Sequence, residues 1–181
     1  YKKTIRCSYR KEVEEMFPER PQIHIEKTML EKLANIIGIA SIVAMILYIA
    51  FNWSALPDDV PIHFNAAGEV DSWGSRWLIF FLPTIAIALY IFMEVIEKRP
   101  HTHNYPARLT ERNAAQFYKE SRQAMNLTKN IATIMLAYIG IQSVLVALEK
   151  VQGLGITVMG IFVLMLGFVI IRSMIRMSKI K

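Results

Sequence analysis

Four long apolar runs dominate the chain, at residues 33–53, 77–93, 131–148 and 154–171, and none of them contains Asp, Glu, Lys or Arg. Their lengths of 17 to 21 residues approach the roughly 20 needed to cross a hydrocarbon layer about 30 Å thick. Lipid offers a backbone amide no partner, so each run is expected to pair its own amides as a transmembrane helix. The expected fold class is an all-α membrane protein: four transmembrane helices, a short extracytoplasmic hairpin-like loop and a cytoplasmic amphipathic helix.

The polar segments supply the organisation. Residues 1–32 form a charged arm broken by Pro18 and Pro21, with a short helix expected at 10–17 and a second from residue 26 into the first run. Residues 33–96 make a two-span unit around an outer loop at 54–76. Residues 97–130 form a connector, and 131–181 hold two further spans and a basic tail. In the connector Thr110 can cap a helix over about 111–128. Ala114, Phe117, Tyr118, Ser121, Met125 and Thr128 fall on one face of that helix. Arg112, Gln116, Lys119, Arg122 and Gln123 fall on the opposite, basic face. Such a helix can lie on a leaflet, bind a partner or extend the third span. His101 and His103 read as solvated loop histidines.

Within the spans, Asn35 lies near one end, and Pro83 is expected to kink the second helix or to mark where a neighbouring helix packs. Glu94 can be a buried carboxylate kept for function or an interfacial charge at the helix end, and the interfacial charge is the expectation. Gln142, Ser143 and the glycines Gly155, Gly160 and Gly167 read as the close-packed seams of a four-helix bundle. No span carries the series of ionisable groups that a proton relay needs.

Charge sets the expected orientation. Arm, connector and tail hold 19 Lys or Arg and 10 Asp or Glu, whereas the other two loops hold 2 and 5, so the net +6 divides into +9 and −3. By the positive-inside rule both termini are expected in the cytoplasm of a bacterial plasma membrane, with the lipid bilayer as first partner. Nucleic acid is not an expected partner. Cys7 is the single cysteine and cannot form an intramolecular disulfide. The first run comes after about thirty polar residues and is too long for a signal-peptide core, so it is expected to act as the targeting signal itself.

The outer loop concentrates the remaining chemistry. Val60, Ile62 and Phe64 alternate with Pro61, His63 and Asn65, the period of an extended segment with one apolar face. Asn65-Ala66-Ala67-Gly68 fits a type I turn, with Asn bonding its own backbone and Gly accepting positive φ. Pro57 and Pro61 stiffen the approach, and Trp53, Trp73 and Trp77 suit an interfacial belt. His63, Asn65, Glu69 and Asp71 are the candidate ligand-binding residues. A His beside carboxylates can titrate near neutral pH, hold a metal or bond a peptide backbone, and the same groups can simply satisfy one another. No HExxH, GxSxG or P-loop pattern occurs, so neither an enzyme nor a cofactor is expected.

The series Leu56-Pro57-x-x-Val60-Pro61-x-His63-Phe64-Asn65-x-x-Gly68-x-x-Asp71-x-Trp73-Gly74-Ser75 resembles a signature of Sdp-type immunity proteins. That signature belongs to the bacterial membrane domain of unknown function that forms their N-terminal half. The later stretch Tyr105-Pro106-x-x-Leu109-Thr110-x-x-Asn113-Ala114-x-x-x-Tyr118 resembles the segment after that loop in small, stand-alone members. The resemblance implies a membrane protein that protects a Gram-positive producer from its own secreted toxin, and in some members captures a cytosolic repressor. His63, Asn65, Gly68 and Asp71 correspond to the hallmark loop, with Pro57, Pro61 and Trp73 as structural positions. The function expected is therefore non-enzymatic. The loop recognises a secreted peptide or protein, in toxin immunity or signalling, and the basic side meets a cytosolic or membrane partner. The alternative is a structural accessory subunit of a larger membrane complex.

Overall fold

The computed structural model describes residues 20–181; Cys7 and the helix expected at 10–17 lie outside the described residues. Four helices run in order: Met29–Asn52 (α1), Phe81–Glu97 (α2), Ala114–Ala147 (α3) and Ile156–Ser178 (α4). An antiparallel hairpin, Asp59–Phe64 (β1) and Val70–Ser75 (β2), joins α1 to α2. All four helices, α2 together with the 3-10 segment Arg76–Phe80 before it, are long and apolar enough to cross a membrane. Their outer faces leave Ile36, Phe92 and Leu164 more than 60% exposed, an apolar surface that water would not tolerate over so large an area.

Local signals explain the helix ends. The Thr28 hydroxyl accepts from the Glu31 amide at 3.4 Å while Glu31 Oε2 accepts from the Thr28 amide at 2.7 Å, a reciprocal cap that starts α1 at Met29. Thr110 does not cap α3. Asn113 Oδ1 instead accepts from the Thr110 amide at 2.7 Å, closing a turn, and the helix begins at Ala114. Residues 114–130 contain no Gly or Pro, so nothing separates the amphipathic stretch from the third span. The two form one helix of 34 residues, about 51 Å long, which outreaches a bilayer core. Pro83 makes no mid-helix kink. It lies in the first turn of α2, where a missing amide hydrogen breaks no helical bond.

The helices do not close into a bundle with four equivalent seams. α3 is the common partner: α1, α2 and α4 each pack against it, α1 meets α2 sparingly, and α4 makes no substantial contact with either. Gly160 and Gly167, expected at a packing seam, have no neighbour among the described residues within 4 Å of where a Cβ would stand. The close approaches fall at Gly38 and Gly140. At Gly38 a Cβ would strike Asn130 Oδ1, and the Asn130 amide is itself held by Asn35 Oδ1 at 2.9 Å and the Asn126 carbonyl at 2.8 Å. At Gly140 it would meet the flexible thioether of Met45. Gly38→Ala is therefore expected to lower stability by about 1–3 kcal/mol, and Gly140→Ala by less than about 1. Thermal unfolding of both variants in mild detergent tests the difference; equal losses would show that Asn130 moves freely.

One apolar core lies between α1, α2, α3 and the hairpin, around Met45, Ile49, Val60, Ile79, Ala86 and Val144. A second, around Phe117 and Tyr118, packs Ile23, Ile25, Tyr105 and Leu109 onto the first turns of α3. Burial there pushes the Tyr105 phenol up to about 12, and its hydroxyl donates to the Pro100 carbonyl at 2.8 Å. His103 is no solvated loop histidine: Nδ1 lies 2.5 Å from Ser121 Oγ and Nε2 lies 3.0 Å from the Ile96 carbonyl.

Candidate functional site

The hairpin is built by local chemistry. Asn65 Oδ1 accepts from the Ala67 amide at 2.9 Å and the Glu69 amide at 3.0 Å, and the Asn65 carbonyl accepts from the Gly68 amide at 2.9 Å. Gly68 takes φ +79°, a left-handed conformation that an L side chain resists. The ladder pairs Pro61 with Trp73, His63 with Ser72 and Phe64 with Val70, so the register slips on both sides of His63. Bulges re-aim side chains. Here the imidazole Nδ1 meets Asp71 Oδ1 at 2.6 Å, with both side chains more than 40% exposed. The four candidate residues therefore form two pairs, His63 with Asp71 and Asn65 with Glu69, the second joined at 3.2 Å.

The hairpin also roofs a space. Because α4 leans on α3 alone, a groove of about 670 Å³ opens between the start of α2, the last turns of α3 and the start of α4. Ile62, Phe64, Leu82, Ile139 and Met159 line it, while His63, Asn65 and Ser143 add polar atoms. This explains why burial along β1 does not follow the apolar alternation. Val60 is fully buried, but Ile62 is 45% exposed because it faces the groove. The roof is fastened at the far side: the Gly68 carbonyl accepts from the Leu154 amide at 2.9 Å, and Glu69 bridges to Gly153. Trp53 and Trp77 pack near one corner in a tilted pair with centroids 4.8 Å apart and planes 56° to each other, and Arg76 covers Trp53 at 5.2 Å. Trp73 stays outside this cluster, 52% exposed. Pro61 is buried under the roof and Pro57 is exposed before it.

Residues 40–87 match the family described as Domain of unknown function (DUF1648). The DUF1648 match covers the second half of α1, the whole hairpin and the start of α2, and so contains the roof and one wall of the groove. An uncharacterized protein of Archaeoglobus fulgidus is 38% identical over 81 residues, which is 40% of this chain. The chain spans 43% of that relative's own length. No solved structure matches the chain.

Outside the DUF1648 match lies a second constellation that no single segment reveals. On α3, Arg122, Asn126, Lys129, Asn130 and Thr133 are all at most 4% exposed. Arg122, Asn126, Lys129 and Asn130 reach Glu31 and Asn35 of α1 or Glu94 and Glu97 of α2, while Thr133 donates back to the Lys129 carbonyl. Lys129 Nζ meets Glu97 Oε2 at 2.6 Å and also contacts Glu94; Asn126 donates to Glu97 Oε1 at 2.9 Å and to Asn35 Oδ1 at 2.8 Å. Arg122 grips Glu31 at 2.9 and 3.0 Å. Lys27 closes the lattice with Glu97 at 2.8 Å and Glu94 at 3.1 Å. Burial opposes its charge, yet the hydrogen bonds to Glu97 and Glu94 outweigh burial and raise the Lys27 pKa above its ordinary value. Its stabilising contribution is thus complete below the ordinary lysine value and fades only as pH climbs through the raised one. The readable signal is the spacing 122, 126, 129, 133, a polar stripe running along one helix face into an apolar span. Glu94 belongs to this lattice at 21% exposure and is not a simple interfacial charge. Among the described residues no three His, Cys, Asp or Glu side chains converge as metal ligands would.

Proposed function

We propose that this chain is a non-enzymatic, multi-pass plasma-membrane protein whose hairpin end faces outward and recognises an apolar or amphipathic ligand, such as a segment of a secreted peptide. The single observation that carries this reading is the hairpin-roofed groove. It has the size of a small-molecule or peptide-anchor site, apolar walls and a few polar atoms at the rim. His63 would meet the polar part of the ligand, oriented by Asp71, and Asn65 with Glu69 would hold the roof in shape. Toxin immunity, which the resemblance to Sdp-type proteins implies, is one use of such recognition. The charge division of +9 and −3 supports cytoplasmic termini.

A second reading, an accessory subunit of a larger membrane complex, is favoured by the bare face of α4, where Gly160 and Gly167 meet nothing. One experiment separates the two. The tagged protein is extracted from its native membrane in mild detergent as wild type, as Met159→Trp, which fills the groove, and as a His63→Ala, Asp71→Ala double variant. Bound peptides, lipids and proteins are then identified by mass spectrometry. A ligand lost from Met159→Trp and reduced at least tenfold in the double variant supports recognition. A protein partner retained equally by all three, with no such ligand, defeats recognition and supports the accessory reading.

A further inference from the structure

At the opposite end from the hairpin, a crevice of about 270 Å³ lies between the start of α1 and the end of α4, floored by α3. Leu30 and Leu127 supply its apolar side; Lys119, Arg172 and Arg176 supply its cations. Two carboxylates also reach it, and both are already matched. Glu31 is held by Arg122 at 2.9 Å, and Glu120 by Arg176 at 3.2 Å. Among the described residues Lys119 and Arg172 form no ion pair, so the crevice keeps two uncompensated positive charges. Its depth is informative. Arg172 is the first charge after the apolar run 154–171, Leu30 stands at the start of α1, and Leu127 lies four residues before the apolar run of α3, with Lys119 about two turns further back. Three helices thus bring their polar–apolar boundaries together at one place.

We propose that this crevice binds one anionic phospholipid. Its phosphate would lie between Arg172 and Lys119, and an acyl chain would run past Leu30 and Leu127 along the seam that α1 and α4 leave open over α3. A guanidinium presents a planar fork that matches two phosphate oxygens, and Lys119 adds a point charge. The apolar wall selects a lipid over a free phosphate, because only a lipid places hydrocarbon beside the cations. The site presupposes helices in a membrane and is independent of what the hairpin groove holds.

Native mass spectrometry of the full chain in detergent tests this, by titration with phosphatidylglycerol, phosphatidylcholine or inorganic phosphate. The wild type is expected to retain one phosphatidylglycerol in clear preference to phosphatidylcholine, and inorganic phosphate is expected not to displace it. With each cation contributing roughly one kcal/mol near anionic lipid, Lys119→Gln with Arg172→Gln is expected to bind about thirtyfold more weakly. A charge-matched control, Arg112→Gln with Lys179→Gln, is expected to stay within about threefold. Equal retention of the two lipids, displacement by phosphate, or a control as weak as the double variant would each overturn the site. Should the double variant fail to fold, the exposed single change Lys119→Gln is expected to weaken binding about fivefold, and unchanged affinity there is equally fatal.

Discussion

Replacing Lys129 by methionine is expected to destabilise the protein by about 3 kcal/mol or more. Lys129 and Glu97 are both fully buried, 2.6 Å apart, and the ammonium also contacts Glu94 and lies 4.7 Å from the centre of the Tyr90 ring. Removing it leaves a buried carboxylate short of a partner, and an uncompensated charge away from water is expensive. Lys27 still reaches Glu97 at 2.8 Å, which keeps the loss near the lower end of the usual range of about 3–5 kcal/mol. The double variant Lys129→Met, Glu97→Leu is expected to recover part of the loss, because no orphaned charge remains. Unfolding in detergent mixtures followed by circular dichroism measures both. A single variant within about 1 kcal/mol of wild type would mean that the lattice is open to water.

The second large effect concerns Arg122. Its guanidinium holds Glu31, the Ile25 carbonyl and, at 2.8 Å, the Glu26 carbonyl, and so ties residues 25–31 to α3 through four hydrogen bonds from one rigid fork. Arg122→Met is expected to cost about 3–5 kcal/mol and to expose the chain around Lys27 to trypsin at least tenfold faster. Arg122→Lys is expected to recover little, since a point charge cannot serve a carboxylate and two carbonyls together. Equal cleavage of wild type and Arg122→Met would show that this segment is held by its packing on Phe117 and Tyr118 instead.

These two residues also mark how far the sequence alone could be read. The four spans were legible because a lipid-crossing helix needs only a continuous apolar run, a property of each segment by itself. The hairpin's turn is of the same kind, since Asn65 and Gly68 act on their own backbone. The lattice is different. By sequence Arg122 is one more cation on the basic face of an amphipathic helix, and Glu94 a charge at a helix end; their partners lie on other helices, 91 and 35 residues away along the chain. The glycines of α4 misled for the converse reason: small residues permit close packing but do not supply the neighbour. His63 and Asp71 could be named as candidates, but their pairing depends on two register slips that alternation cannot reveal.

The position of α3 bears on how the protein is made. The stretch that matches DUF1648 leaves the ribosome before α3, yet the two helices it reaches into touch each other little and are joined through that later helix. Until that helix arrives, Glu94 and Glu97 lack Lys129, and the hairpin has neither its floor nor the Leu154 amide that fastens it. The matched stretch is thus a late beneficiary of its own C-terminal sequence, and a chain that stops after residue 97 should present the cell's membrane proteases with a substrate rather than a smaller working domain.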